Sequence, residues 1–359
     1  MGTMFDYIDW RGDISFSELD INEIDNLIFS QICYVDFKHI VPASPTAKPV
    51  PLLSAAKRYM NAHKEKGDAS DLGMIVPSEI VNLMTRAARS PRFGSVGLVG
   101  YVNRVSDNEQ KQFSATTFLL GEDTCFVAFR GTDDTIVGWK ESLNMSFMSP
   151  IPAQTDATLY LQTVAAAFPD RRIFASGHSK GGNLAVWAAV KCAPEVNSRI
   201  VSVYNNDGPG FDSEFIASEE YLRTRERIHT LVPQSSIVGM LLEHEERYEV
   251  VKSSYTGLLQ HNCFSWEVLG ARFVHIDSVT EESKKIDATL KEWLAEMEPA
   301  RRKAILDTLY DILSSHNIKT LTDLNTDKLA LVKAWNTIDA DARKFIRRCI
   351  SLIIKNITK

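Results

Sequence analysis

The stretch of sequence that decides the fold is Arg172–Trp187, RIFASGHSKGGNLAVW. An apolar run typical of a β-strand leads into G-x-S-x-G, and small and apolar residues typical of a helix follow. This order predicts a nucleophile elbow, in which a strained turn between strand and helix presents a serine hydroxyl above the sheet edge. G-x-S-x-G alone often arises by chance in an ordinary strand-to-helix turn. The flanking strand and helix favour the functional interpretation.

Four residues around the turn have predicted roles in this chemistry. Ser179 is the candidate nucleophile, and Gly177 and Gly181 lack the β-carbons that would collide with it in so tight a turn. The N-terminus of the following helix offers backbone N–H groups and the positive end of a dipole. The N–H of Lys180 is therefore the predicted oxyanion donor. Because only its backbone is needed, the charge of Lys180 is not expected to matter.

A second motif, Phe126–Trp139, FVAFRGTDDTIVGW, supplies the other half of such a site. A hydrophobic strand again ends in a polar, glycine-containing loop before a helix, where an α/β-hydrolase places its second oxyanion N–H. We expect Thr132 to give this N–H, with its hydroxyl as a further contributor. The alternative interpretation is a plain β-turn followed by a capped helix.

The remaining pattern predicts an α/β fold, with a mostly parallel sheet flanked by helices and a C-terminal helical appendage. Residues 1–92 are expected to form a helical region that packs on or covers the core, 93–280 the α/β core, and 281–359 a C-terminal helical subdomain. We expect the helices near Asp20–Lys66 or the C-terminal bundle to be able to cover the site as a lid. The C-terminal helices have a second interpretation, an independent partner-binding module.

The two motifs together resemble the class 3, fungal-type lipases of the α/β-hydrolase superfamily. A longer set of segments is similar to a bacterial family, the Mbeg-like domain of unknown function. The set is DNLIFSQICYVDF, FRGTDDTIVGWKESLNMSF, GHSKGGNLA, NNDGPGF, VPQSSIVGMLL and QHNCFSWEV, between about residues 23 and 268. The resemblance implies a serine hydrolase fold and leaves the reaction open.

A serine needs an oriented base, and α/β-hydrolases order the three groups as serine, acid and histidine. The downstream histidines are His229, His244, His261 and His275. His229 and His275 lie in β-like runs, and His244 lies in a charged stretch that predicts solvation. His261 follows a β-like run and a glycine-containing loop, where a histidine can hang over the sheet edge. We predict His261 as the base; the alternative is an ordinary loop or core histidine.

The acid is the least determined of the three groups. The resemblance to class 3 lipases places it in Ser235–Gly239, SSIVG, where this chain has serine. Asp207 ends the β-like run RIVSVYNND and lies between the nucleophile and the base along the chain, so we predict Asp207 as the orienting acid. The rival interpretation makes Asp207 a turn cap, with Ser235 or Ser236 bonding to His261.

Composition sets limits on the function classes. The net charge of −6 argues against a general nucleic-acid binder. The cysteines are odd in number and scattered, and the N-terminus has no apolar segment of the kind a signal peptide carries, so we expect a cytoplasmic protein. No apolar run approaches the roughly 20 residues of a membrane span, so stable membrane insertion is not expected. We find no motif for a metal or a cofactor and expect neither.

These observations predict a serine esterase, lipase-like, that cleaves carboxylic esters through an acyl-enzyme. Its substrate would be a small-molecule acyl ester or a lipid, while any protein partner stays open. Two alternatives belong to other classes: a catalytically inactive hydrolase-like scaffold, and an acyltransferase or thioesterase that uses the same elbow.

Overall fold

The structure is a computed structural model that describes residues 1–63, 77–244, 246–315 and 318–326, and the single positions 335, 340, 343, 344 and 347. The strands of these residues are β1 Val50–Pro51, β2 Gly97–Ser106, β3 Lys111–Leu120, β4 Thr124–Phe129, β5 Arg172–His178, β6 Ile200–Asn206, β7 Ile228–Pro233, β8 Tyr248–Val251, β9 Val268–Leu269, β10 Arg272–Phe273 and β11 His275–Ile276.

The helices fall before, between and after these strands. They are α1 Met4–Arg11, α2 Glu23–Ile32, α3 Leu52–His63, α4 Glu79–Arg89, α5 Pro91–Gly94, α6 Ile136–Asn144, α7 Pro152–Ala167, α8 Lys180–Lys191, α9 Pro194–Asn197, α10 Ser213–Ile216, α11 Glu219–Thr224, α12 Glu281–Ala295, α13 Pro299–Ser315 and α14 Leu321–Thr326.

Nine of the described strands form one mixed sheet, in the order β1-β2-β3-β4-β5-β6-β7-β8-β11. The five strands from β4 to β8 are parallel, and the strands on either side of them pair antiparallel. Parallel neighbours need crossover connections, which the helices between β4 and β7 provide. The predicted α/β fold is confirmed, with its parallel part at the centre of the sheet.

Helices cover both faces of the sheet. On one face, α1 to α4 bury their apolar sides against β2 to β5, and Phe29 of α2 lies with its ring centroid 4.8 Å from those of Phe118 and Phe126. On the other face, α7 and α8 close a second core with β3 to β6. Asn22 caps the N-terminus of α2, because its side-chain oxygen accepts from the N–H groups of Ile24 and Asp25.

The described part of the N-terminal region, residues 1–63 and 77–92, contains α1 to α4, the start of α5 and one strand. Strand β1 pairs with β2 and extends the sheet, a feature that the sequence did not predict. Its residues, Val50 and Pro51, are too few to show an alternating pattern, and their pairing partner lies more than forty residues away. The boundary predicted at residue 92 falls inside α5, and the division into domains stays a prediction.

The described helices of the C-terminal appendage contact the α/β core, including α14, where the Thr322 hydroxyl donates to Asp134. Ser283 of α12 donates to the carbonyl of Ser236, and Lys140 of α6 pairs with Asp307 of α13 at 2.5 Å. The part of the predicted helical subdomain that follows residue 326 lies largely outside the described residues. None of the helices that the structure describes is long and apolar enough to cross a membrane.

Candidate active site

Ser179 occupies the sharp turn between β5 and α8. Its backbone has φ 58° and ψ −134°, a conformation that costs energy for any residue with a β-carbon. The turn is held to the next strand, because the Ser179 N–H donates to the carbonyl of Asn206 at 3.0 Å. The side chain is half-buried. This is the backbone arrangement that the sequence predicts for a nucleophile elbow.

The two glycines of the motif are required by close backbone approach. A β-carbon on Gly177 would lie 2.2 Å from the carbonyl carbon of Gly181, and one on Gly181 would lie 2.1 Å from the carbonyl oxygen of Phe129. Both distances are far inside van der Waals contact. The collision that the glycines avoid is therefore with each other and with β4, and not with the serine as the sequence suggested.

The parallel strands bring the other candidate residues to the same edge of the sheet. Ser179 follows β5, Asp207 follows β6, Ser236 lies in the loop after β7, and His261 lies in the segment after β8. The carboxyl ends of adjacent parallel strands meet at one edge, where α/β proteins place their sites. Residues that are up to 82 positions apart in the chain are thereby assembled without any special connection.

His261 and Asp207 form a hydrogen-bonded pair. The Nδ1 atom of His261 lies 2.6 Å from Oδ2 of Asp207. The aspartate side chain is 1% exposed, whereas the imidazole is 26% exposed. A carboxylate accepts, so the proton of the pair lies on Nδ1 and the lone pair of a neutral ring lies on Nε2. In the described residues Nε2 makes no hydrogen bond, and it is the atom available to take a proton.

Ser236 is hydrogen-bonded to this pair through Asp207. Its hydroxyl donates to Oδ1 of Asp207, and the N–H of Gly239 donates to the same oxygen at 3.1 Å. The rival interpretation expected a serine of this loop to bond with His261. The structure instead places Ser236 on Asp207, so the segment that resembles the acid loop of class 3 lipases holds the acid in place.

His178, directly before the elbow, is a residue of this site that the sequence analysis did not single out. Its Nε2 lies 2.9 Å from the carbonyl oxygen of His261, and the centroids of the two rings are 4.6 Å apart. Burial, together with the nearby His261, lowers the pKa of His178 from 6.5 to about 3. The ring is therefore neutral near pH 7 and donates from Nε2. This bond positions the backbone of the candidate base beside the elbow.

The other three histidines take different places. His229 stacks on Tyr204 at 5.2 Å between centroids, and His275 lies between two glutamates. The expectation that His244 is solvated was wrong: its side chain is 8% exposed and its Nδ1 lies 2.9 Å from Oε1 of Glu246. The charged neighbours of His244 in the chain suggested a surface stretch, but Glu246 is itself buried.

The predicted oxyanion loop lies against the elbow. A β-carbon on Gly131 would come within 3.1 Å of Cβ of Ser179, which places the start of this loop beside the candidate nucleophile. The hydroxyl of Thr132 lies 2.6 Å from that of Ser142, and Ser142 in turn donates to the carbonyl of Gly138. The Thr132 hydroxyl therefore donates its hydrogen bond to Ser142. The donor that Thr132 can offer to an oxyanion is its backbone N–H.

One group of side chains in the described part of the chain could offer ligands to a metal ion. It consists of Glu23, Glu249 and His275. Each ring nitrogen of His275 already lies 3.1 Å from a carboxylate oxygen, Nε2 from Glu23 and Nδ1 from Glu249. The hydrogen-bonding atoms of the three side chains thus already contact one another. The group contains none of the residues of the candidate active site.

The central parallel strands and the sharp strand-to-helix turn at Ser179 are those of the α/β-hydrolase fold. The chain belongs to the Mbeg1-like family, whose model matches residues 87–311. The resemblance found in the motifs is thereby confirmed. No curated protein matches the chain.

Solved structures similar to this chain include three fungal proteins. The Rhizomucor miehei lipase propeptide complex is 15% identical with a TM-score of 0.35, over 56% of this chain and 66% of that one. Lipase II from Rhizopus niveus is 14% identical with a TM-score of 0.36, over 55% and 78%. A mutant form of MDLA from Penicillium cyclopium is 12% identical with a TM-score of 0.38, over 75% and 90%. This chain thus spans just under two thirds of the Rhizomucor chain.

Proposed function

We propose that this protein is a serine hydrolase that cleaves carboxylic esters through an acyl-enzyme. The observation that carries the proposal is the hydrogen bond between Asp207 and His261 at the edge where Ser179 stands on its strained turn. A buried carboxylate on Nδ1 fixes the tautomer in which Nε2 accepts a proton. That is the requirement for activating a serine hydroxyl, which is a weak nucleophile on its own.

The reaction proceeds in two halves. Ser179 Oγ attacks the carbonyl carbon of the ester while His261 Nε2 takes the hydroxyl proton, and the carbonyl oxygen becomes an oxyanion that the N–H groups of Lys180 and Thr132 bind. Collapse of this adduct breaks the bond to the alcohol, which leaves with the proton from His261. Water then attacks the acyl-enzyme by the same route, and the acid is released with Ser179 restored.

Esters are the proposed substrates because an alcohol leaves more readily than an amine. The lipase-like architecture supports acyl esters of lipids or of small alcohols as substrates, and it does not select among them. The acyl chain and the alcohol therefore have to be found by profiling a series of esters of rising chain length.

Labelling with a fluorophosphonate tests the nucleophile. We expect the wild-type chain to be labelled and to hydrolyse a short-chain nitrophenyl ester, and Ser179→Ala to do neither. Ser235→Ala is the matched control, because Ser235 lies in the neighbouring loop with its hydroxyl 3.4 Å from that of Thr280 and is expected to react as the wild type does.

The outcomes separate the alternatives. A folded wild type that is neither labelled nor active would overturn the proposal and favour the inactive scaffold. Labelling at Ser179 together with faster transfer of the acyl group to an added alcohol than to water would instead identify an acyltransferase. Labelling together with a preference for thioesters over esters would identify a thioesterase.

A further inference from the structure

The ammonium group of Lys180 is buried directly behind the elbow. The side chain is 1% exposed, and its Nζ donates to three oxygens: Oε2 of Glu141 at 2.8 Å, and the carbonyl oxygen and Oε1 of Gln112 at 2.7 Å each. An ammonium group has three hydrogens, so all of its donors are used. The sequence analysis assigned a role only to the backbone of this residue, and nothing in that role requires a buried charge.

Glu141 is equally enclosed. Its side chain is 0% exposed. Besides Lys180, its Oε2 accepts from the N–H of Gln112 at 3.0 Å, and its Oε1 accepts from the N–H of Ala153 at 2.9 Å. Both carboxylate oxygens are held in fixed directions by backbone groups, so the carboxylate is a rigid anchor for the ammonium group.

This ion pair joins the two halves of the proposed oxyanion hole. Lys180 is the first residue of α8 and offers one of the two proposed N–H groups. Glu141 lies on α6, the helix that follows the loop containing Thr132. Gln112, bonded to both charges, also donates from Nε2 to the carbonyl of Gly131 at 3.4 Å. The same few side chains therefore contact the elbow and the opposite loop.

Stability alone does not account for such a pair. Moving two charges out of water costs free energy that their attraction only partly returns, and apolar residues of similar volume are often as stabilising. What a fully bonded pair does provide is a fixed geometry, since each group is held by directed hydrogen bonds. Oxyanion donors are useful only at a defined distance from the developing charge.

We propose that Lys180 and Glu141 are positioning residues that fix the separation of the Lys180 and Thr132 N–H groups. The inference rests on the proposed function, because it names what holds the oxyanion hole of that site. The pair touches neither substrate nor base, and its effect is confined to the transition state.

The test uses Lys180→Met, Glu141→Gln and the double variant, each in the full chain. Methionine keeps the backbone N–H and much of the length of lysine, and glutamine keeps the shape of glutamate. The double variant leaves no charge unpaired, which guards against unfolding of the single variants. The matched control is Lys140→Met. Lys140 lies on α6, the same helix as Glu141, and its buried ammonium group pairs with Asp307 of α13.

In each variant that gives a cooperative unfolding transition, we expect kcat to fall about 10-fold to 100-fold while KM changes less than about twofold. A boronic acid, which forms a tetrahedral adduct with the serine, should bind more weakly by the same factor.

The pH midpoint of kcat/KM should not move, because the Asp207–His261 pair is untouched. The double variant should lose no more than either single variant, since both remove one interaction. Lys140→Met should retain kcat within about twofold.

Two results would overturn the inference in distinguishable ways. A double variant with the kcat of Lys140→Met, beside an active wild type, would show that the pair is structural and would leave the proposed function standing. A folded wild type without any Ser179-dependent turnover would overturn the proposed function and this inference with it.

Discussion

Ser236 donates its hydroxyl hydrogen to Oδ1 of Asp207, while Oδ2 of the same carboxylate lies 2.6 Å from Nδ1 of His261. The carboxylate is thus held from the loop after β7 and directed at the imidazole. The backbone N–H of Gly239 adds a second donor on the Oδ1 side. Because both oxygens are engaged, rotation of the Asp207 side chain would break buried hydrogen bonds to a charged acceptor. Such bonds are stronger than hydrogen bonds between neutral groups.

Replacing Asp207 by asparagine should lower kcat strongly in the proposed hydrolase. The amide nitrogen would either face Nδ1 and favour the tautomer with the proton on Nε2, or leave Ser236 without its acceptor. A change of this kind in serine hydrolases lowers kcat by about 10⁴-fold, and we expect a loss of about 10²-fold to 10⁴-fold. Steady-state hydrolysis of a short-chain ester checks it. Undiminished turnover would remove Asp207 from the site.

Ser236→Ala should have a smaller effect of the same kind. It removes one charge-assisted hydrogen bond from Asp207 and leaves the bond to His261 in place, so we expect kcat to fall about tenfold. Ser235→Ala is the control, as its hydroxyl contacts Thr280 and not the aspartate. Equal activities of the two variants would contradict the proposed role of Ser236.

The sequence predicts best what is local. The elbow, the mostly parallel sheet and the positions of Asp207 and His261 follow from residues that are adjacent in the chain or at the ends of parallel strands. Their catalytic roles stay predictions. The burial of His244 and of the Lys180 ammonium group was missed, because both depend on partners elsewhere in the chain. For Lys180 a signal was present: it is followed in α8 by ten uncharged residues, nearly all small or apolar, which indicates that this part of the helix is buried.

The two histidines beside the elbow should differ in their effect on activity. His261→Gln removes the proposed base, and we expect kcat to fall at least about 1000-fold. His178→Gln keeps a donor that can reach the carbonyl of His261, so we expect a loss of less than about tenfold. Ester hydrolysis by the two purified variants measures the difference. The reverse order of losses would reassign the base to His178.

The burial of His178 should make the protein less stable in acid. Its pKa is about 3 in the folded chain and 6.5 ordinarily, so between these values the unfolded chain binds a proton that the folded chain does not. The contribution of this group to stability is complete above about pH 6.5 and is lost as the pH falls toward 3, at up to about 1.4 kcal/mol per pH unit.

Denaturant unfolding of the wild type and of His178→Gln between pH 7 and pH 4.5 measures this effect. As the pH decreases, the free energy of unfolding of the wild type should fall more steeply than that of His178→Gln. The slopes should differ by up to about 1.4 kcal/mol per pH unit, because the other titrating groups are common to both proteins. Parallel curves would show that the imidazole is not held neutral in the folded protein.

Phe29 connects the N-terminal helices to the sheet and should be costly to truncate. Its side chain is 0% exposed, and its ring lies 4.8 Å from Phe118 and Phe126, centroid to centroid. Phe29→Ala removes these contacts and leaves a cavity between α2 and the sheet, so the free energy of unfolding should fall by about 3–5 kcal/mol. Leu159→Ala, at a position 57% exposed, should change it by less than about 1 kcal/mol. If the two variants unfolded at the same denaturant concentration, α2 would not be part of the cooperative core, and residues 1–92 would behave as the separate covering region that the sequence allowed.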